Sequence, residues 1–145
     1  MIEHSTKIRI RYAETDQMKT VYYANYFVYF EQARTELMRK IGFPYSDLEN
    51  MGYLLPVIEA HAAYYKSVAY DDEIIVITTL KDIPSTRIEL NYKIINSSTN
   101  NLIAEGYTIH CFVKLSTKKP TRAPSSFIQS IQNTFNVKND LQTNY

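Results

Sequence analysis

One carboxylate in the sequence is placed where it could act as a catalytic group. Asp16 lies in a loop, and a helix rich in apolar residues is predicted to begin about seven residues later, near Tyr23. The first N–H groups of a helix have no internal hydrogen-bond partner, and the helix dipole places partial positive charge there. An acid facing such a helix start is either a structural cap or a base or nucleophile beside an oxyanion site. The residue pattern alone leaves both interpretations open.

Glu59 and His61 form a second candidate pair. They lie two residues apart on a predicted strand, so their side chains share a face, and they could reach a substrate bound to a partner chain. A solvated or interface pair is the simpler interpretation. The remaining histidines, His4 and His110, are scattered, and we expect His61 and His110 to be structural residues of strands.

Helical and strand periodicities outline the elements that must hold Asp16. Alternation of apolar and basic residues predicts a first strand over Lys7–Tyr12. Apolar residues at three- and four-residue steps predict a helix from about Ala24 to Ile41, which Gly42 would end with a left-handed cap. Pro44–Asn50 is compatible with one further short turn of helix.

The remainder of the chain has mostly the pattern of strands. Four are predicted, over Tyr53–Tyr65, Glu73–Lys81, Arg87–Asn96 and Leu102–Leu115. The polar run NSSTNN joins the last two as a hairpin, a short helix is expected around Pro124–Asn133, and the tail is expected to fray from about residue 136. The order predicts one α+β domain over residues 1–145, with an antiparallel sheet of about five strands curled around one long central helix.

Composition restricts the class of protein. The 145 residues suit one domain that buries a core without disulfides. The 16 Lys and Arg against 15 Asp and Glu argue against a nucleic-acid binder, and the single Cys111 excludes a disulfide scaffold and a cysteine zinc cluster. No apolar run is long enough to span a membrane, and the first residues lack the apolar stretch of a signal peptide, so we expect a cytoplasmic protein.

Self-association is expected from the predicted long helix. Its first two turns are apolar almost all round, and the strand over Tyr53–Tyr65 is rich in tyrosine. A monomer would expose a larger apolar patch than soluble monomers usually carry. We therefore expect at least a dimer.

The segment YAETDQMKTVYYANYFVYFEQARTE resembles the signature of the 4-hydroxybenzoyl-CoA thioesterase family of hotdog-fold proteins. That family includes a bacterial branch of small acyl-CoA thioesterases associated with the Tol–Pal gene cluster. Later segments that resemble it are LPVIEAHAAYYKSVAYDDEI and TKKPTRAP. The resemblance runs from about Lys7 to Pro124.

The resemblance implies a hotdog fold with active sites at the subunit interfaces of dimers, which often pair into tetramers. It implies that Asp16 acts as a nucleophile, giving a mixed anhydride, or as a general base for water. The backbone N–H of Tyr23 would then polarise the thioester carbonyl. Tyr23 stands where many members of the bacterial branch have histidine, and Gln17, Met18 and Lys19 replace a small, often glycine-containing stretch.

The implied reaction is hydrolysis of an acyl-CoA to free CoA and a carboxylic acid, with no metal and no cofactor besides the CoA of the substrate. Phosphates and ADP of CoA need basic residues, and Arg87, Lys119 and Arg122 are the candidates, with ordinary surface charge as the alternative. Glu59 and His61 complete the substrate-binding candidates. Two other functions stay open, a thioesterase for acyl groups on acyl carrier protein and a non-catalytic acyl-CoA binding protein.

Overall fold

The computed structural model describes residues 1–143, with side chains as far as residue 136, and its elements are those of an α+β fold. The strands are β1 (Ile2–Arg9), β2 (Tyr53–Leu54), β3 (Val57–Tyr64), β4 (Glu73–Leu80), β5 (Arg87–Asn96), β6 (Leu102–Cys111), β7 (Val113–Lys114) and β8 (Lys119–Pro120). The helices are α1 (Asn25–Ile41), α2 (Tyr45–Asn50) and α3 (Ser125–Thr143), and a 3-10 turn spans Tyr12–Glu14. None of these helices is long and apolar enough to cross a membrane.

Five strands form the main sheet in the order β1-β4-β5-β6-β3, and every neighbouring pair is antiparallel. The predicted hairpin across NSSTNN is confirmed, since β5 and β6 pair along their length and the Asn96 N–H donates to the Asn101 carbonyl at 3.0 Å. The inward alternation on β5 also holds, because Ile88, Leu90 and Tyr92 are all buried. The expected five-stranded antiparallel sheet is therefore confirmed.

The long helix α1 lies against one face of this sheet and touches both of its edge strands, β1 directly and β3 through a contact of Tyr26 with Tyr64. A helix that reaches both edges requires a sheet that curls around it. At the middle of the contact, the ring of Phe30 stacks on Tyr92 with centroids 4.3 Å apart. Gly106 makes this approach possible, because a Cβ there would lie 3.0 Å from Phe30 and overlap the His61 carbonyl oxygen.

The end of α1 follows the sequence prediction. Gly42 has a φ of 86°, and its N–H and that of Phe43 donate back to the carbonyl of Met38, which closes the helix with a left-handed cap. The start differs by one residue, since α1 begins at Asn25 and Ala24 is its N-cap.

Three strand predictions had wrong boundaries. The first strand covers Ile2–Arg9 rather than Lys7–Tyr12, because the inward positions of its first half include polar His4 and Thr6, which hide the alternation. The strand predicted over Tyr53–Tyr65 is broken at Leu55–Pro56, since proline has no N–H for a ladder. Likewise, Leu102–Leu115 divides into β6 and β7, so that β2, β7 and β8 form a second, three-stranded sheet that was not predicted.

The C-terminal helix is also longer than predicted. α3 runs over Ser125–Thr143 rather than ending near Asn133, and its buried Phe127 and Ile131 pack into the core. Fraying of the tail from about residue 136 stays a prediction, and residues 144 and 145 lie outside the described residues.

A chain of polar groups crosses the core beneath α1. His110 is 1% exposed, and its Nδ1 lies 3.2 Å from the Leu55 carbonyl, which can only accept, so Nδ1 carries the proton. Its Nε2 then accepts from the Thr108 hydroxyl at 2.9 Å, and the Tyr92 hydroxyl completes the chain by donating to Thr108 at 2.7 Å. This arrangement holds the imidazole neutral, and His110 is the structural strand histidine that was expected.

Burial, and next the positive charge of Arg34, lower the pKa of His110 to about 4 from its ordinary value of 6.5. A histidine with a lowered folded pKa binds fewer protons in the folded state than in the unfolded one. Stability is therefore full above pH 6.5, falls as the pH drops toward 4, and falls no further from this residue below that.

We expect the free energy of unfolding to show this dependence and a His110→Gln variant to show less of it. The amide can donate to Leu55 and accept from Thr108 without titrating. Urea unfolding at pH 7 and pH 5 should show a smaller loss for His110→Gln than for the wild type. The control is His61→Gln, on an exposed histidine, which should behave like the wild type. An equal loss for His110→Gln and wild type would contradict a buried neutral His110.

Candidate active site

Asp16 lies in a tight loop between the 3-10 turn and α1. Thr15 and Val21 pair as an antiparallel bridge, and inside it the Asp16 N–H donates to the Thr20 carbonyl at 2.9 Å. The Lys19 N–H returns to the Asp16 carbonyl at 2.9 Å. Lys19 has a φ of 64°, in the left-handed region that glycine adopts most easily. The lysine at this position therefore takes a backbone conformation for which glycine would be favoured. The loop thus fixes the backbone of Asp16.

The carboxylate of Asp16 is half-buried, and one of its oxygens has a structural partner. Oδ1 accepts the Met18 N–H at 2.9 Å, the pattern of an Asx turn. Among the side chains that the structure describes, as far as residue 136, the second oxygen has no hydrogen-bond partner and the carboxylate forms no salt bridge. One oxygen therefore orients the group, and the other is free to take a proton or attack an electrophile.

The start of α1 offers unpartnered donors. The Asn25 N–H donates to the Tyr22 carbonyl at 2.9 Å and the Tyr26 N–H to the Tyr23 carbonyl at 3.2 Å. The N–H groups of Tyr23 and Ala24 have no acceptor among the residues that the structure describes. They lie at the positive end of the helix dipole, where an oxyanion would be stabilised.

Two hydrogen bonds tie the Asp16 loop to this helix start. Both end on the main-chain carbonyl of Glu14, which accepts the Tyr22 N–H at 2.9 Å and Nδ2 of Asn25 at 2.9 Å. The side chain of Glu14 also accepts the Arg11 N–H at 2.8 Å. Glu14 and Asn25 both lie in the segment that resembles the family signature, but the sequence assigned neither a role, because the main-chain carbonyl of Glu14 that pairs with Asn25 leaves no mark in the sequence.

Tyrosine rings surround the helix start. The ring of Tyr23 lies 4.9 Å from Tyr22 and 6.1 Å from Tyr64, measured between centroids, and Tyr64 lies 5.3 Å from Tyr26. Tyr23 is 59% exposed and Tyr64 is 44% exposed. Burial, and next the proximity of Tyr64, raise the pKa of Tyr26 to about 12, so its phenol is neutral at pH 7. An open aromatic surface therefore lies beside the Tyr23 N–H.

Glu59 and His61 are not brought to this surface within one chain. In the register of β3 against β6, His61 is opposite Tyr107, and the two rings stack with centroids 5.4 Å apart. Gly106, the neighbour of Tyr107, faces Phe30 on α1, so Tyr107 and His61 lie on the other face of the sheet. Glu59 shares that outer face, as expected from the spacing, and both residues are exposed.

The basic candidates lie at the opposite end of the sheet. The Asp16 loop packs on the connection between β3 and β4, near the Asn96 end of β5, whereas Arg87 begins that strand. Ten residues of strand separate the two ends by roughly 30 Å. Arg122 lines a cavity of about 470 Å³ at the start of α3, and Lys119 is exposed on β8. A single chain does not bring these three residues to Asp16.

Three cavities among the described residues lie away from Asp16. One, of about 550 Å³, lies on the outer face of the sheet and is lined by His61, Tyr107 and Lys93 among others. The other two, about 470 and 280 Å³, lie near Pro84 and Ser85. Asp16 and Tyr23 line none of these three cavities, and Tyr23 is exposed in the single chain.

The comparisons of this chain with known families, proteins and structures agree with one another. The model of the thioesterase-like superfamily matches residues 10–131. The putative acyl-CoA thioesterase YneP of Bacillus subtilis is 36% identical over 121 residues, which cover 83% of this chain and 87% of that protein. The crystal structure of a DHNA-CoA thioesterase from Staphylococcus aureus superposes with a TM-score of 0.87 at 32% identity, covering 97% of this chain and 95% of the other. A variant of 4-hydroxybenzoyl-CoA thioesterase, at 17% identity and a TM-score of 0.79, covers 88% of this chain and 97% of its own and shows the fold alone.

Proposed function

Because the chain belongs to the thioesterase-like superfamily and is a thioester hydrolase of hotdog fold, we propose that it is an acyl-CoA thioesterase that uses Asp16 and the start of α1. One observation carries this proposal. The loop that holds the Asp16 carboxylate is bonded to the same turn that presents the unpartnered Tyr23 N–H. A base or nucleophile and an oxyanion donor are therefore neighbours on a rigid scaffold.

Two routes use this pair. In the first, Asp16 accepts a proton from water as the water oxygen attacks the thioester carbonyl, and the thiolate of CoA leaves and is protonated. In the second, a carboxylate oxygen attacks, the C–S bond breaks, and water then hydrolyses the mixed anhydride. In both routes the Tyr23 N–H stabilises the oxyanion of the tetrahedral intermediate. The products are free CoA and a carboxylic acid, and no cofactor takes part besides the CoA of the substrate.

The tyrosine surface supports an aromatic acyl group. Aromatic rings favour edge-to-face and offset contacts, which Tyr23, Tyr26 and Tyr64 offer beside the reacting carbonyl. The Staphylococcus aureus relative is named for DHNA-CoA. Membership of the Tol–Pal-associated branch and a cytoplasmic location stay predictions.

Two alternatives make different predictions in the same assay. A thioesterase for acyl carrier protein would turn over carrier-bound acyl groups faster than acyl-CoA and would need basic residues that face the carrier. A non-catalytic binding protein would bind acyl-CoA without releasing thiol. A panel of acyl-CoAs with detection of free thiol separates the three functions.

The β3 edge supports a dimer. β3 ends the sheet, and its outer edge has no partner strand among the described residues. Its sequence, VIEAHAAY, contains one acid and no lysine or proline, whereas the other edge, β1, carries Glu3, Lys7 and Arg9. Natural proteins protect free edges with charges, so an apolar edge of eight residues favours pairing with a second copy.

Such pairing would complete the site. If two β3 strands pair antiparallel across a two-fold axis, the Val57 end of one lies beside the Tyr64 end of the other. Arg87 lies at the Val57 end, since both Arg87 and Val57 pair with the last residues of β6. The partner's basic residues would then approach this chain's Asp16, and CoA would bind across the interface. Pairing of two dimers into a tetramer stays a prediction.

We expect Asp16→Asn to fold normally and to lose turnover by about 10²–10⁴-fold, or more if Asp16 is the nucleophile. The amide oxygen still accepts the Met18 N–H, so the loop keeps its turn, but an amide is neither base nor nucleophile. Thiol release measures the loss, and thermal unfolding checks the fold. Asp47→Asn, on an exposed acid of α2, is the matched control. Turnover of Asp16→Asn within threefold of wild type would refute the assignment.

Substitutions of Tyr23 separate backbone from side-chain chemistry. Tyr23→Phe should stay active within a few-fold, because the useful atom is the backbone N–H. Tyr23→Pro should lose about 10²–10³-fold in turnover, since it removes one oxyanion donor, and that N–H has no acceptor to lose. A melting curve must show that Tyr23→Pro is folded. Normal activity of folded Tyr23→Pro, or loss of activity in Tyr23→Phe, would contradict the backbone role.

Light scattering at micromolar concentration should give at least twice the chain mass of 16.9 kDa. Ala60→Lys, on the exposed β3 edge, should shift the mass toward the monomer because it places a charge in the expected interface. Ser5→Lys, on exposed β1, is the control and should not change the mass. A wild-type mass of 16.9 kDa would rule out the dimer.

A further inference from the structure

Asn25 makes a hydrogen bond that helix capping does not explain. The N-cap residue of a helix usually accepts a helix N–H with a side-chain oxygen, but the N-cap of α1 is Ala24, which has none. Asn25, the first residue of α1, instead donates through Nδ2 to the Glu14 carbonyl, eleven residues earlier, at 2.9 Å. α1 has no side-chain cap and no acid in its first turn. The amide therefore serves the loop rather than the helix.

The bond lies between the two groups that the proposed mechanism needs at a fixed separation. Glu14 precedes Asp16 by two residues, and Asn25 follows Tyr23 by two residues. The same Glu14 carbonyl accepts the Tyr22 N–H, so both lone pairs of one oxygen are used to hold the loop on the helix start. Asn25 is half-buried, which limits competition by water.

We propose that Asn25 is a positioning residue that sets the distance between the Asp16 carboxylate and the Tyr23 N–H. The inference rests on the proposed function, because it assigns a task to Asn25 within the same reaction. A displacement of about 1 Å between reacting groups costs on the order of 10²-fold in rate. Loss of the Asn25 bond should therefore lower kcat and leave KM nearly unchanged, because the residues proposed to bind CoA lie elsewhere.

Asn25→Leu removes the donor and keeps the size and neutrality of the side chain. We expect kcat for acyl-CoA hydrolysis to fall by about 10- to 100-fold, with KM within threefold of wild type. Asn25→Gln keeps the amide on a longer side chain and should recover part of the loss. Gln32→Leu, at an exposed position of α1, is the matched control and should have wild-type kinetics.

Asn25→Asp separates positioning from folding. Its carboxylate would face the Glu14 carbonyl without a donor, whereas a negative charge in the first turn stabilises a helix. We expect kcat to fall at least as far as in Asn25→Leu, because the carboxylate also places a negative charge beside the proposed oxyanion, while the melting temperature is equal to or above that of wild type. A fall in melting temperature that tracks the loss of kcat across the three variants would overturn the proposal, since the role would then be structural.

A double substitution tests whether Asn25 acts through Asp16. If it does, Asp16→Asn with Asn25→Leu loses no more than Asp16→Asn alone, because residues that act as a unit are not additive. Losses that multiply would overturn the proposal, as would wild-type kcat in Asn25→Leu when Asp16→Asn is inactive. Absence of thiol release by wild type, or an active Asp16→Asn, would instead refute the proposed function and with it the role of Asn25.

Discussion

The position of every group at the candidate site depends on how closely α1 approaches the sheet. Phe30 stacks on Tyr92 at 4.3 Å, and Gly106 leaves the space that this approach needs. Protein interiors are packed too tightly for a helix to shift along such a contact without cost. The contact therefore helps to fix the position of α1 on the sheet, and with it the position of the N–H groups at the start of the helix. Two hydrogen bonds of 2.9 Å to the Glu14 carbonyl then attach the loop of Asp16 to the start of the helix.

The same packing leaves one side of the molecule unfinished. The sheet covers one face of α1, yet Tyr23 and Tyr64 stay exposed next to an apolar strand edge. Two cavities among the described residues lie elsewhere, on the outer face and near the start of α3. An active site that is open within one chain and lies next to an unprotected edge is consistent with a site that two copies complete. Arg87 and the Asp16 loop of one chain, which lie roughly 30 Å apart, would then belong to two different sites of the dimer.

Periodicity predicted the elements whose patterns are long and regular. The alternation of Ile88, Leu90 and Tyr92 located β5, and Gly42 located the end of α1, because each signal follows from local geometry. Two-residue strands carry no period, so the second sheet could not be predicted. The spacing of Asp16 before a predicted helix start left a cap and a catalytic acid both open, and the family resemblance favoured the acid, whose role stays a prediction. The distance between the basic residues and Asp16 depends on strand register and sheet order. These are set by tertiary pairing, and local sequence patterns do not reveal them.

The first turn of α1 contains no acid, and this connects the stability of the helix with the chemistry of the proposed site. A carboxylate there would stabilise the helix dipole, and it would also place a negative charge where the proposed oxyanion develops. Asn25 occupies the turn with a neutral donor, whose bond fastens the loop without occupying the Tyr23 N–H. The first turn of the helix thus carries no negative charge of its own, as the proposed oxyanion site requires. Helix stability is lower than an acid would give, a common cost at sites where function and stability compete.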